Sequence, residues 1–380
     1  MTADVVVIGG GVIGCAVGRE LAQRGARTIV VERGRAGSEA TSAAAGMVAP
    51  QAECEAPGPV LTLGLVSRDR YGAWCEALAE ESGVDVEYRR DGILYAALTA
   101  ADERVLAARA GWQRAAGLRV ERIGPRVACR LVPAATRVRS AFLFPDDHRV
   151  NNERLGAAVA LAARRAGATV LEGTAVVALR ARDRRVTGVE TANGTITAPI
   201  AVNAAGAWAA AIRLPVGVPP PVFPVRGQML VLHGERDLLP RPLYSLRGYH
   251  VPRPDGRVLA GSTLERVGFE RRVTVCAAGA ILAAAHAMAP ALGDFAVEGA
   301  YAGFRPGTPD RRPILGAAPD LRGLFYATGH YRSGILLAPA TAAALADLVL
   351  AGRTALPIAG MSPARFTRTA RARSRPRARD

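Results

Sequence analysis

An α/β fold is predicted for this chain by three stretches of sequence. The first is Asp4-Val5-Val6-Val7-Ile8, a run rich in β-branched residues of the kind buried on both faces of a sheet, which leads directly into Gly9-Gly10-Gly11-Val12-Ile13-Gly14. The second is Thr28-Ile29-Val30-Val31, another buried strand, which delivers Glu32 at its carboxyl end. The third, Gly323-Leu324-Phe325-Tyr326-Ala327-Thr328-Gly329, reads as a strand leading into a helix that starts at Ser333-Gly334-Ile335. Strands alternating with helices imply a parallel sheet covered by helices.

Within the first unit each glycine has its own reason. Gly9 allows the tight turn, Gly11 lets the backbone approach a pyrophosphate, and Gly14 lets the next helix pack closely on the strand. That helix is expected from about Val12 to Gln23, ending at Arg24-Gly25 with the glycine as its stop. Glu32 lies about twenty residues past the glycines, where a carboxylate can accept hydrogen bonds from a ribose hydroxyl pair. The acid disfavours a ribose 2′-phosphate and hence NADP. On this motif alone FAD and NAD both remain open.

Composition narrows the chemistry. With 380 residues the chain can bury a large core and is expected to divide into two substructures. Half of it is apolar and 22% is charged, which is a globular composition. The net charge of +16 contains no lysine, so all 49 basic residues are arginine. Schiff-base chemistry on a lysine, pyridoxal phosphate catalysis included, is excluded, and so is a phosphate loop of the Walker type. Arg365, Arg368, Arg371, Arg373, Arg375, Arg377 and Arg379 cluster at the end. Segment 363–380 is expected to be a disordered, solvated arginine-rich tail, and no nucleic-acid partner is expected.

Five cysteines, Cys15, Cys54, Cys75, Cys129 and Cys276, are scattered without a CxxC pair, which fits a reducing compartment and neither a disulfide framework nor a zinc site. His148, His233, His250, His286 and His330 show no metal-ligand spacing, so no metal is expected. Met1-Thr2-Ala3-Asp4 has no cationic leader, and Ile335 to Ala351, interrupted by Pro339 and Asp347, reads as a buried helix. The chain is therefore expected to be cytoplasmic, with no membrane partner. Asp146-Asp147 is expected to open a turn or cap a helix at Asn151-Asn152, and Asp310-Arg311-Arg312 to be a surface turn.

Three further segments bear on the cofactor. Thr41-Ser42-Ala43-Ala44-Ala45-Gly46-Met47 is built of small residues and hydroxyls that allow close approach of a pyrophosphate and a ring system, although a small-residue helix start would read the same way locally. A helix over Arg154 to Ala166 precedes strands at Ala168–Leu171 and Ala175–Leu179. A hairpin follows from Val186 to Ile196, turning at Asn193-Gly194. The strand ending in Asn203-Ala204-Ala205-Gly206-Ala207-Trp208 is expected to return to the edge of the first sheet. The helix start after Gly329 gathers free N–H groups, which would stabilise an isoalloxazine that turns anionic on two-electron reduction.

Together with Glu32-Arg33, Tyr249-His250-Val251-Pro252-Arg253, Gly303-Phe304-Arg305-Pro306-Gly307-Thr308 and Gly329 to Thr341, these segments resemble the D-amino acid oxidase-like superfamily of FAD amine oxidases. Within it they look most like the glycine oxidases of the thiamine pathway, in order from residue 1 to about residue 360. The resemblance implies a discontinuous Rossmann-like FAD-binding domain over 1–85, 147–215 and 298–362. It also implies a mixed-sheet α+β substrate domain over 86–146 and 216–297, in which Leu259-Ala260-Gly261-Ser262 pairs with Met229-Leu230-Val231-Leu232.

It places cofactor contacts on Gly9, Gly11, Val12, Ile13 and Gly14, on Glu32 and Arg33, and on Thr41, Ser42, Ala45, Gly46 and Met47. Further contacts fall on Val176, on Ala205, Gly206 and Trp208, and on His330, Arg332, Ser333, Gly334, Ile335 and Leu336. It assigns the substrate carboxylate to Arg305 and Tyr249, with Arg332 near the amino-acid end. The chemistry agrees, because a guanidinium pairs bidentately with a planar carboxylate and a phenol adds a donor.

The activity implied is oxidative deamination of glycine, or of sarcosine or D-alanine. Hydride passes from Cα to flavin N5, and the products are an imine or keto acid, ammonia and, through O2, hydrogen peroxide. A D-amino acid dehydrogenase using a quinone, a nicotinamide dehydrogenase and a non-catalytic nucleotide binder with a nucleic-acid-contacting tail are the rival readings. Sarcosine oxidases attach flavin through a cysteine ahead of their Thr-Pro-Asp; Tyr301 to Gly307 has none before Thr308-Pro309-Asp310, so FAD is expected to be non-covalent. Leu264 stands where glycine oxidases tend to carry methionine. A homo-oligomer is implied by the resemblance alone.

Overall fold

Val5–Ile8 is an inner strand, with parallel neighbours Thr28–Val31 on one side and Ile200–Asn203 on the other, and it is buried at all four positions because both faces of the sheet are covered. This computed structural model describes residues 1–366, so the arginines beyond Arg365 lie outside the described residues. The sheet has six strands in the order Ile314–Ala317, Leu324–Thr328, Ile200–Asn203, Val5–Ile8, Thr28–Val31 and Thr169–Leu171. All pair in parallel except the antiparallel strand Ile314–Ala317 at one end. The strand before Trp208 therefore lies inside the sheet and not at its edge.

Alternation along the strands sorts the core into two layers. Val5 and Val7 point into a cluster with Val17, Leu21, Leu63, Leu155 and Leu337, from the helices Val12–Gln23, Pro59–Ser82, Asn152–Arg165 and Gly334–Ala351. Val6 and Ile8 point the other way, into a cluster with Val176, Leu179, Val189 and Ile196. That second layer is a three-stranded antiparallel sheet of Val176–Arg182, Arg185–Thr191 and Gly194–Thr197, which contains the hairpin expected at Asn193-Gly194.

Gly334–Ala351 is long and apolar enough to cross a membrane, but 61% of it is buried in this core. Pro339 does not interrupt it. A proline removes the N–H that would bond the carbonyl four residues earlier. Here the Tyr71 hydroxyl donates to that carbonyl, Ile335 O, at 2.6 Å, and the Ser67 hydroxyl donates to Leu336 O at 2.6 Å.

The second sheet has eight strands in the order Ala296–Gly307, Phe223–His233, Arg257–Gly261, Gly248–Pro252, Leu243–Ser245, Ile93–Ala97, Ser140–Phe144 and Glu121–Ile123. It is mixed, since Leu243–Ser245 runs parallel to Ile93–Ala97 while the other pairings are antiparallel. Met229 pairs with Gly261 and Leu230 with Ala260. The boundary expected at 298 falls inside the strand Ala296–Gly307, whose partner is Phe223–His233, because its long ladder of pairs holds it in this sheet.

Two other expectations shift. Asp146-Asp147 does sit at a turn, where the Asp147 N–H donates to the Phe144 carbonyl at 3.3 Å, but Asp147 does not cap the helix Asn152–Arg165, which is capped by the Asn151 side chain accepting from the N–H groups of Glu153 and Arg154. The Asp147 carboxylate accepts instead from the N–H groups of Gln51 at 3.2 Å and Ala52 at 2.7 Å, capping the short helix Pro50–Glu53. The tail is also anchored later than 363, since Arg365 pairs with Asp310 at 2.8 Å and Phe366 packs against the second core layer. Asp310 otherwise accepts from the Arg312 N–H, as a turn would have it.

Candidate cofactor and substrate site

The glycine turn is demanded by its neighbours. Gly9 has φ +102°, and a Cβ there would sit 2.6 Å from the Ala204 carbonyl oxygen; at Gly14 it would sit 1.8 Å from that of Gly9. Gly11 differs. A Cβ there meets only the Thr41 hydroxyl at 3.4 Å, so protein packing does not exclude one, and what it would fill is the cavity that Gly11 lines. That open cradle above a helix N-terminus fits a pyrophosphate.

Glu32 ties the turn down. Its carboxylate accepts from the Gly10 N–H at 2.7 Å and the Gly34 N–H at 2.8 Å, one bond to each oxygen. Each oxygen keeps a lone pair for a ribose hydroxyl. The Thr41 hydroxyl accepts from the Val12 N–H at 3.0 Å, closing one donor of the helix start. Arg33 lies over the Trp208 ring, 3.7 Å from its centroid, and pairs with Glu39 at 2.9 Å. Trp208 stacks on Phe269.

Gly9, Gly11, Glu32, Arg33, Thr41 and Trp208 line one cavity of about 530 Å³. Of the cofactor positions expected from sequence, its wall includes Gly9, Gly11, Val12, Ile13, Glu32, Arg33, Thr41, Ala45, Gly46 and Met47. It also includes Val176, Ala205, Gly206, Trp208, His330, Arg332, Gly334 and Ile335. Four positions are not on the wall. Gly14 is turned against Gly9, and the Ser42 hydroxyl is spent on the Glu39 carbonyl. Ser333 precedes the helix without a side-chain cap, and Leu336 is packed in the core beneath it. His330 is buried, hydrogen-bonded to Thr341 at 3.1 Å and held neutral, its pKa pushed down to about 3 by burial.

The turn Thr41–Met47 is braced from below. The Asn152 amide donates to the carbonyls of Thr41 and Ser42, and Arg253 donates to the Ala45 carbonyl and to Asn152. Arg253 is buried with one guanidinium nitrogen that has no partner among the described residues, and burial lowers its pKa to about 10. Gly46, at φ +81°, could not carry a Cβ, which would lie 2.0 Å from the Val150 carbonyl oxygen.

Arg305, Tyr249 and Arg332 line the same cavity. Arg305 donates to the Ser262 hydroxyl at 2.7 Å and the Thr263 carbonyl at 3.2 Å, and has no carboxylate partner among the described residues. Tyr249 stacks on Tyr244 and donates to the Met229 sulfur at 3.3 Å. Arg332 is paired with Glu53 at 2.6 Å, which pushes the Arg332 pKa up. Tyr244 donates to the same carboxylate at 2.8 Å, and burial together with Glu53 holds its phenol well above the ordinary value.

Glu53 and Tyr244 were not expected from sequence, yet both line the cavity. Tyr244 stands directly opposite Tyr249 across the hairpin Leu243–Ser245 to Gly248–Pro252, so strand pairing around Leu246-Arg247 was the signal that could have found it. Glu53 had none, because Ala52-Glu53-Cys54 matches no motif.

Comparison with known proteins agrees with this architecture. The family model described as FAD dependent oxidoreductase matches residues 4–348. A glycine oxidase of Geobacillus kaustophilus is 37% identical over 362 residues, covering 94% of this chain and 96% of that protein. Its crystal structure superposes with a TM-score of 0.91 over 95% of this chain and 98% of that one. A bifunctional protein ThiO/ThiG of Synechocystis sp. is 40% identical over 374 residues, or 97% of this chain and 55% of that protein, so this chain spans about half its length. The expected fold class, the FAD cofactor and the likeness to glycine oxidases are borne out. The chain belongs to the family of FAD-dependent oxidoreductases.

Proposed function

We propose that this enzyme is an amino acid oxidase for glycine or another small amine such as sarcosine or D-alanine, passing electrons through non-covalent FAD to O2 and releasing hydrogen peroxide. The observation that carries the reading is the Arg305 guanidinium, which faces the same cavity as the glycine turn and has no carboxylate partner among the described residues. At the substrate end Glu53 neutralises Arg332, which leaves Arg305 as the cation without a carboxylate partner among the described residues. One net positive charge matches one carboxylate on a substrate whose amine is neutral.

FAD supplies the two-electron acceptor. The chain's own residues bind and orient. Arg305 and the Tyr249 phenol hold the carboxylate and so fix Cα, while the stacked Tyr244 and Tyr249 rings narrow the space to a small side chain. Neither Arg305 nor Tyr249 needs to move a proton for this. The imine hydrolyses to the keto acid and ammonia, and a role in thiamine thiazole synthesis is part of this reading, supported by the likeness to the bifunctional protein ThiO/ThiG. Five free thiols support a cytoplasmic location, and the likeness to glycine oxidases supports a homo-oligomer.

The test is the visible spectrum of the purified holoenzyme before and after anaerobic glycine, sarcosine and D-alanine, followed by peroxide assay in air. Bleaching and peroxide release are expected. A flavin spectrum unmoved by all three would overturn the substrate reading, and bleaching without peroxide would move the enzyme to the dehydrogenases. Arg305→Ala still bleaching at wild-type substrate concentrations would remove Arg305 as the anchor.

A further inference from the structure

Arg305 is not merely near the cavity; it is seated. It lies on the strand Ala296–Gly307 opposite Val225, and Gly227 is the diagonal neighbour on the same face of the adjacent strand. A Cβ on Gly227 would sit 1.9 Å from Nη1, 2.5 Å from Cζ and 2.6 Å from Nη2 of Arg305. The end of the guanidinium therefore occupies the space that a side chain at Gly227 would fill. Two tethers hold it there, the Ser262 hydroxyl accepting from Nη2 at 2.7 Å and the Thr263 carbonyl accepting from Nη1 at 3.2 Å. Thr263 is itself fixed, since its hydroxyl accepts from the Gln228 N–H at 3.0 Å.

We infer that Gly227 and Ser262 are positioning residues that set the carboxylate-binding pose of Arg305; this rests on the amino acid oxidase reading. A guanidinium has five N–H donors in one plane. The seat consumes two of them on neutral acceptors and leaves three free for a ligand. Neutral tethers orient the cation without cancelling its charge, whereas a carboxylate tether would have competed with the substrate, as Glu53 does at Arg332. Gly227 has no left-handed backbone requirement, so its glycine is explained by the guanidinium above it and not by its own φ.

The proposal separates seat from scaffold. At Gly227 the three atoms nearest an added methyl all belong to the far end of the Arg305 side chain, so the strand can keep its backbone while Arg305 is displaced. Gly227→Ala and Ser262→Ala are compared with wild type as FAD-loaded enzyme, by glycine kinetics and by titrating acetate against the flavin spectrum. Each variant is expected to raise the KM for glycine and the Kd for acetate by about tenfold, the scale of a hydrogen bond to a charged group, with kcat within about twofold and melting little changed. Methylamine, an amine without a carboxylate, should affect wild type and variants equally. Ser262→Thr, which keeps a hydroxyl, should recover most of the loss.

Unchanged KM and acetate affinity in both alanine variants would overturn the seat. If wild type is not bleached by any of the three amino acids, the substrate reading falls, but the acetate titration still tests the seat. Equal acetate affinity in wild type and Gly227→Ala would then overturn it independently.

Discussion

The Tyr71 hydroxyl donates a 2.6 Å hydrogen bond to the carbonyl of Ile335, the acceptor that Pro339 leaves without its helical N–H. The bond joins the middle of the helix Pro59–Ser82 to the first turn of Gly334–Ala351, whose start lines the cofactor cavity. Burial holds the Tyr71 phenol well above its ordinary pKa, so it remains a donor at every working pH. Tyr71→Phe leaves a buried carbonyl unsatisfied and should cost about 1–3 kcal/mol in denaturant unfolding of the FAD-loaded enzyme. In a Pro339→Ala background the loss should shrink, because the new Ala N–H can take over Ile335 O. A double-mutant cycle showing no coupling would mean the hydroxyl is not serving the proline's acceptor.

The turn at the other end of the cavity can be tested through Glu32. Because both of its oxygens already hold backbone N–H groups, Glu32→Gln keeps one acceptor and turns the other into a donor facing an N–H. FAD affinity should fall at least about tenfold, a loss of about 1.4 kcal/mol or more, read by flavin release on dilution. Glu32→Asp, one methylene short of both bonds, should also release flavin. Retention of wild-type affinity in both would separate Glu32 from the cofactor.

These two ends differ in how visible they were in sequence. Gly9, Gly14 and Glu32 could be read because each answers a local demand, a turn, a close helix or a strand end, that leaves a residue type at a fixed spacing. The Tyr71–Ile335 bond is a long-range relation, and nothing around Tyr71 announces a proline far along the chain. Of the two readings of Asp146-Asp147 the turn holds, and the helix cap by Asp147 fails for the same reason. Proximity in sequence favoured the helix at Asn152, while the fold brought Asp147 to the N–H groups of Gln51 and Ala52. Ser42 and Leu336 stood beside true wall residues, and only side-chain direction separated them from the cavity.

Buried ionisable groups give the stability opposing pH slopes. His148 and His250 are pushed down to about 4 and His330 to about 3, each mainly by burial. A base whose folded pKa lies below its unfolded value of about 6.5 supports the fold above that value and loses the support as pH falls toward 3–4. Asp147 runs the other way. Burial raises its folded pKa to about 7, so the folded state binds the extra proton between about 4 and 7, and its contribution weakens as pH rises through that window. Denaturant midpoints measured from pH 4 to pH 8 should therefore show less loss on the acid side in His330→Gln, and more in Asp147→Asn. Parallel pH curves for both variants and wild type would show that neither group titrates as its burial implies.

The Glu53–Arg332 pair makes a prediction about which substrates are refused. Arg332 would otherwise be a second guanidinium at the substrate end of the cavity, able to bind a second carboxylate. Glu53 holds it at 2.6 Å, and Tyr244 anchors Glu53 from the other side, so a diacid would have to displace a protein carboxylate that is already hydrogen-bonded. Discrimination of this kind works by leaving the wrong ligand without a partner. Glu53→Gln keeps the shape and the Tyr244 contact but frees the charge. Its preference for iminodiacetate over glycine, taken as a ratio of kcat/KM, should rise at least about tenfold, equivalent to 1.4 kcal/mol of recovered charge pairing. Removing both charges in Glu53→Gln/Arg332→Gln should abolish the gain, because the second anchor is then gone. An iminodiacetate gain that survives in the double variant would trace the change to space in the cavity and not to the released arginine.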